Sequence, residues 1–324
     1  MIQAYLPKRR SGGFTRSMTD PLTSQFPAII SGGGDLASFL GSNKDAVDAA
    51  LADAGALLFR GFDVPDPLAF DHAIEGYGEA GFTYEDSLSN AVRTNVTPRV
   101  FTANEAPPAT EIFLHHEMAQ TPLYPAKLFF YCEIAPSSGG ATPLCRSDWV
   151  LERLAEQAPA FVARLEAEGV CYTNVMPGSD DAGSGQGRSW RSTLSVANEA
   201  EAEARLQELG YSWEWLADGS LRVTTAALPA VRTLSDGRKT FFNQLIAAFR
   251  GWADSRNDPN KAITFGGGET ITGEQMAPAI ALADELTHNL AWKAGDVALI
   301  DNFTVMHGRR PFQGKRRVLA SLIA

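Results

Sequence analysis

The chain of 324 residues carries 28 Lys and Arg against 38 Asp and Glu, a formal net charge of −10, with 44% hydrophobic and 20% charged residues. That composition suffices for one sizeable globular core. The acidic balance excludes phosphate-backbone binding as the main activity, and no window approaches the roughly 18 apolar residues that a membrane-spanning helix needs.

Residues 1–45 are rich in Ser, Gly, Pro and Thr and predict an irregular N-terminal arm ahead of a single domain over 46–324. Basic residues near the start have no apolar stretch behind them, so no signal peptide is expected. The spacing of Ala46, Val47, Ala50 and Leu51 predicts a helix over 43–54, and residues 56–62 read as a buried strand closed by glycine. A second helix suits 70–80, and 94–104 looks extended. Residues 127–134 make the strongest strand in the chain, dense in aromatic and β-favouring side chains. After a turn at 136–140, a helical pattern covers 148–168 and is divided by Pro159; it opens a helical insert over about 148–215. The Gly- and Ser-rich stretch 176–190 reads as a flap. A helix over 199–209, strands near 220–225 and 239–243, a helix over 273–288 and closing strands over 296–300 and 317–322 complete the reading. Short strands, inserted helices and no βαβ rhythm predict a mainly β chain with a jelly-roll core. Three cysteines, Cys132, Cys145 and Cys171, form no CxxC pair and point to a reducing cytoplasm.

Of five histidines, His115, His116 and His307 stand in telling places. On an extended chain His115 and Glu117 project to one face while His116 points away. His307, following the apolar run 297–300 and a turn at Asp301-Asn302, is positioned to supply a third ligand. Two imidazoles and one carboxylate on one side of an ion form the facial triad of non-haem Fe(II) oxygenases, although zinc uses the same donors. Arg309, Arg310, Lys315, Arg316 and Arg317 form a dense cationic stretch for an acidic chain. Because Arg316-Arg317 opens a strand, one guanidinium is expected to face the core, where it needs an anionic partner such as a carboxylate.

The motifs His115-His116-Glu117, Gly139-Gly140-Ala141-Thr142-Pro143 and Asp301-Asn302 through His307 to Arg316-Arg317-Val318-Leu319 resemble the taurine dioxygenase-like Fe(II)/2-oxoglutarate oxygenases. Within them the chain is most similar to the clavaminate synthase-like branch, which includes SyrP-type hydroxylases. The likeness runs from about residue 56 to the end. It implies a double-stranded β-helix with Fe(II) at His115, Glu117 and His307, and O2 and 2-oxoglutarate as co-substrates. It implies 2-oxoglutarate carboxylates held by Thr142 and by Arg317 as the main partner, with Arg316 the neighbouring choice. Retention of Glu117 points away from halogenation. The implied reaction is oxidation of an unactivated C–H, by hydroxylation or by desaturation or cyclisation, with release of succinate and CO2. A metal- and 2-oxoglutarate-binding protein without turnover is the reading from another class. Arg99, Asn104, Glu105, Lys127 and Asn243 are the expected substrate contacts. An amino acid, an amino-acid-derived small molecule or a carrier-tethered aminoacyl group is the expected substrate.

Overall fold

The computed structural model describes residues 26–83, 87–89, 93–103, 106–180, 187–251 and 262–324. Strand Lys127–Ile134 forms over the span its residues predict and lies within a six-stranded sheet. Strands Val297–Asp301 and Arg317–Ile323 flank it, both antiparallel. Ala56–Arg60 and Ala28–Ser31 extend one edge, the last pair parallel, and Phe101–Thr102 closes the other. Side chains alternate between the two faces with period 2. One set, including Leu57, Phe59, Phe129, Tyr131, Leu299 and Leu319, packs with residues of helices Leu36–Ser42, Lys44–Ala54 and Pro67–Tyr77. The other set, including Leu58, Leu128, Phe130, Val318, Ala320 and Leu322, forms a separate cluster. Both faces are buried, so these strands read as apolar runs without polar alternation.

A second sheet runs in the order His288–Leu290, Thr142–Arg146, Val305–Arg309, Ile112–His115, antiparallel throughout. Leu114, Cys145 and Met306 of this sheet pack with Trp149, Leu154, Ile246 and Met276 from helices Ser147–Gln157, Leu245–Gly251 and Gly273–Glu285. A cavity lies between the two sheets. Phe101, Leu128, Phe130, Val318, Ala320 and Leu322 line it from the six-stranded side, and Ile112, His115, Thr142 and His307 from the four-stranded side.

Two expectations change. The chain is mixed helix and sheet rather than mainly β, because helices back both sheets. The expected arm is structured from residue 26: Ala28–Ser31 joins the main sheet, and Asp35 caps helix Leu36–Ser42 through its side chain. Residues 1–25 lie outside the described residues, as do 181–186 of the expected flap. Pro159 divides the helical pattern as expected, since it begins helix Pro159–Glu168 after the first helix ends at Gln157. Among the described residues of 94–104 only Phe101–Thr102 is a strand, and the strand expected over 239–243 is confined to Lys239–Thr240.

Candidate active site

Strand Ile112–His115 ends on His115, and the next residues turn sharply. Met118 adopts φ 59°, a conformation that side chains other than glycine rarely take. Asn302, fully buried, holds this turn. Its Oδ1 accepts from the Glu117 backbone N–H at 2.7 Å, and its Nδ2 donates to the Glu117 carbonyl at 3.0 Å and to Pro125 O at 2.8 Å. The Asn302 carbonyl also takes the Nδ1 proton of His116, whose ring packs on Phe242 at 4.9 Å. His116 is therefore a core residue turned away from its neighbours' cavity. The His115 Nδ1–H donates to Phe113 O at 2.8 Å, which leaves the Nε2 lone pair free.

His307 comes from the neighbouring strand. The register pairs it directly with His115, so the two rings stand on one face with centroids 4.4 Å apart. The ladder slips immediately after His307, and Gly308 sits at that irregularity, where a Cβ would overlap the Ile112 carbonyl. Glu117 lies between the rings, its Oε2 3.8 Å from His115 Nε2 and 3.4 Å from His307 Nε2. These ligand atoms all lie within 4.8 Å of one another, and the side chains are only 17, 12 and 6% exposed for His115, Glu117 and His307. Ligand bonds of about 2.1 Å place neighbouring donors about 3 Å apart, so the trio needs only a small contraction around an ion. The donor set fits Fe(II).

Burial alone would raise the Glu117 carboxyl, but the two imidazoles beside it outweigh that and hold it well below its ordinary range. Burial, and then the charge of His115, push His307 down to about 4, so it stays a neutral ligand at physiological pH.

Arginine side chains crowd the same cavity, with Arg93, Arg309 and Arg316 in its wall. Arg309 donates to the carbonyls of Ala106, Pro107 and Thr110 and so ties that segment to strand Val305–Arg309. Arg316 donates its Nε–H to Gly140 O at 3.0 Å and lies 5.7 Å from the Phe312 ring; no carboxylate is within ion-pair distance of it among the described residues. Burial lowers its guanidinium to about 10, still charged at neutral pH. Arg317 takes the opposite direction. It pairs with Glu133 outside the cavity and remains 42% exposed. The parity decides this: Arg316, Val318, Ala320 and Leu322 share the cavity face, whereas Leu319 and Ile323 face the helices. The expected order of the two arginines is thus reversed in space. Thr142 lines the cavity too, its hydroxyl accepting from Trp292 Nε1 at 2.9 Å.

Residues 19–322 match the family described as taurine catabolism dioxygenase TauD, TfdA family. A clavaminate synthase-like protein from Arabidopsis thaliana is 44% identical over 87% of this chain and 85% of its own length. The chain belongs to the TauD/TfdA family of Fe(II)- and 2-oxoglutarate-dependent dioxygenases. The dapdiamide synthesis protein DdaC of Enterobacter agglomerans is 27% identical over 91% of this chain and 93% of its own. The PvcB protein from Pseudomonas aeruginosa shares the fold, with a TM-score of 0.53 over 98% of this chain and 95% of that one, at 12% identity.

Of the expected substrate contacts, Arg99, Lys127 and Asn243 do not line this cavity. Arg99 pairs with Asp71 at 2.7 Å, and Lys127 with Glu79, away from the cavity. Asn243 is a buried structural residue, donating to Ala230 O and accepting from Leu245 N–H. Asn104 and Glu105 lie outside the described residues. The sequence pattern does not mark Asn302, Trp292, Arg93 and Arg309 for the places they take in the structure. Asn302 follows the apolar strand Val297–Asp301 in a turn, which is a weak signal; Trp292 carries none.

Proposed function

We propose that this chain is a 2-oxoglutarate-dependent dioxygenase in which His115, Glu117 and His307 hold Fe(II), with Arg316 and Thr142 receiving the distal carboxylate of 2-oxoglutarate. The observation that carries the reading is one cavity lined both by the triad and by a guanidinium with no carboxylate partner among the described residues. Bound there, the ferrous ion would activate dioxygen for C–H oxidation, with 2-oxoglutarate supplying electrons and leaving as succinate and CO2. The protein's share is placement. Phe113 O orients the His115 ring, Asn302 fixes the carboxylate turn, and Leu128, Phe130, Val318, Ala320 and Leu322 provide a dry wall beside the co-substrate. The two facing sheets are read as the halves of a double-stranded β-helix. Arg317, paired with Glu133, is assigned no part in co-substrate binding.

The substrate is proposed to be an amino acid or amino-acid-derived small molecule, free or carrier-tethered, and the outcome hydroxylation. The relative named for dapdiamide synthesis supports this class. The three free cysteines support a reducing, cytoplasmic setting.

Anaerobic Fe(II) plus 2-oxoglutarate is expected to give a weak visible charge-transfer band that His115→Ala lacks. A screen of amino acids and aminoacyl carriers for succinate release, read by product mass, then identifies the reaction. Gain of one oxygen means hydroxylation, and loss of two hydrogens means desaturation or ring closure. Absence of the band refutes the co-substrate assignment; a band without turnover on any substrate supports the binding-protein reading.

A further inference from the structure

The two polar groups assigned to the distal carboxylate are each held from behind by one hydrogen bond, and the residues making those bonds have no other stated role. We propose that Gly140 and Trp292 are positioning residues that pre-orient the co-substrate clamp, an inference that rests on the assignment of Arg316 and Thr142 above. Gly140 O takes the Nε–H of Arg316 at 3.0 Å. That leaves the four N–H groups of the two terminal nitrogens for an anion. The carbonyl can be presented there because Gly140 sits at φ 67°, in the left-handed region, with its own N–H held by Pro311 O at 2.9 Å. A Cβ at this position would lie 2.6 Å from Pro136 Cγ, 3.0 Å from Phe312 Cβ and 3.1 Å from Arg316 Cδ. The glycine therefore both fixes the backbone acceptor and makes room for the arginine stem.

Trp292 acts on the other group. An indole N–H is only a donor, and at 2.9 Å it occupies a lone pair of the Thr142 hydroxyl. The hydroxyl proton is then left to be donated elsewhere, and Thr142 faces the cavity. Both side chains are buried, so the bond is shielded from water and its loss cannot be made good by solvent. Two residues apart in sequence, Gly140 and Thr142 bring the arginine of one wall and the hydroxyl of the other together, and Trp292, packed in the cluster between the sheets, holds the second half.

The test is calorimetric titration of 2-oxoglutarate, and of 2-oxobutyrate (which lacks the distal carboxylate), into Fe(II)-loaded protein under argon. Trp292→Phe keeps an aromatic ring and removes the donor together with part of the indole, and 2-oxobutyrate controls for the lost packing. It is expected to weaken 2-oxoglutarate about three- to ten-fold, the worth of one buried hydrogen bond, while leaving 2-oxobutyrate and Fe(II) affinities unchanged. Gly140→Ala is expected to do the same or more. A merely structural role would weaken both ligands equally, and that result overturns the proposal, as does an unchanged preference for 2-oxoglutarate. If Gly140→Ala does not fold, Trp292→Phe decides alone. Arg316→Met separates the two levels: if it leaves 2-oxoglutarate affinity intact, the clamp assignment itself fails. If it abolishes binding while Trp292→Phe does nothing, only the positioning inference falls.

Discussion

Strand Lys127–Ile134 has a charge cluster at each end, and the two differ in whether they are complete. At its start Lys127 and Lys44 each bond Glu79 at 2.6 Å, Lys44 also meets Asp48, and Asp48 accepts from the Tyr77 hydroxyl. The Tyr77 ring lies 4.1 and 5.1 Å from the two ammonium groups. Two cations meet two anions there, and nothing is left for a ligand to supply. At the far end Arg317 is closed by Glu133, but Arg316, next to it in sequence, faces the cavity with a carbonyl and a ring for company. Closed clusters brace the fold, whereas an open one is completed by an anion from outside.

The largest effect that tests this contrast is expected at the triad. Glu117→Ala should cut succinate formation by about three orders of magnitude or more and strip the protein of Fe(II), checked by metal analysis and turnover. Full activity in that variant would end the ligand assignment. Next, Arg316→Met should raise KM for 2-oxoglutarate about 100-fold, the loss of a charge-assisted pair, and leave the melting temperature of the ligand-free protein unchanged or higher. A large fall in that temperature would mean that Arg316 belongs to a closed cluster after all. Lys127→Met should invert the pattern, costing about 1–2 kcal/mol of stability by urea denaturation with KM for 2-oxoglutarate intact. The smallest effect is expected at Arg317→Ala, under about 0.5 kcal/mol, with KM within two-fold of the parent, because the Arg317 side chain is half-exposed and its pair is screened by solvent. A KM rise comparable to that of Arg316→Met would restore Arg317 to the site.

Acid sharpens the same contrast from the side of the metal-free cavity. His307 is held down to about 4 and His116 to about 3, both by burial first, against an ordinary value of 6.5. The unfolded chain therefore binds more protons below pH 6.5, so acid favours unfolding. The stability is complete above that value, erodes as pH falls through it, and is lost for His307 by about pH 4. A slope of up to about 1.4 kcal/mol per pH unit for each histidine is expected in urea titrations between pH 6.5 and 5, before most carboxylates respond. A flat profile there would show that these imidazoles are not buried neutral.

Much of the site was legible because its chemistry is local. His115 and Glu117 stand two apart beside an apolar strand, and His307 follows another; residue type and spacing alone nominate them. The arginines show where such reading stops. Both faces of strand Arg317–Ile323 are apolar, one toward the helices and one toward the cavity, so no polar alternation tells which parity faces inward. Arg99 and Lys127 lie away from the cavity for a related reason: their acidic partners, Asp71 and Glu79, are distant in sequence.

The sequence by itself determined the ligand types, the strong central strand, the break at Pro159 and the family. Only the tertiary structure decided that His307 lies opposite His115, that Asn302 clamps the carboxylate turn, and that Arg316 rather than Arg317 faces the cavity. Each of these depends on strand register and on partners far apart in the chain, and register is an energy of packed faces that no local pattern contains.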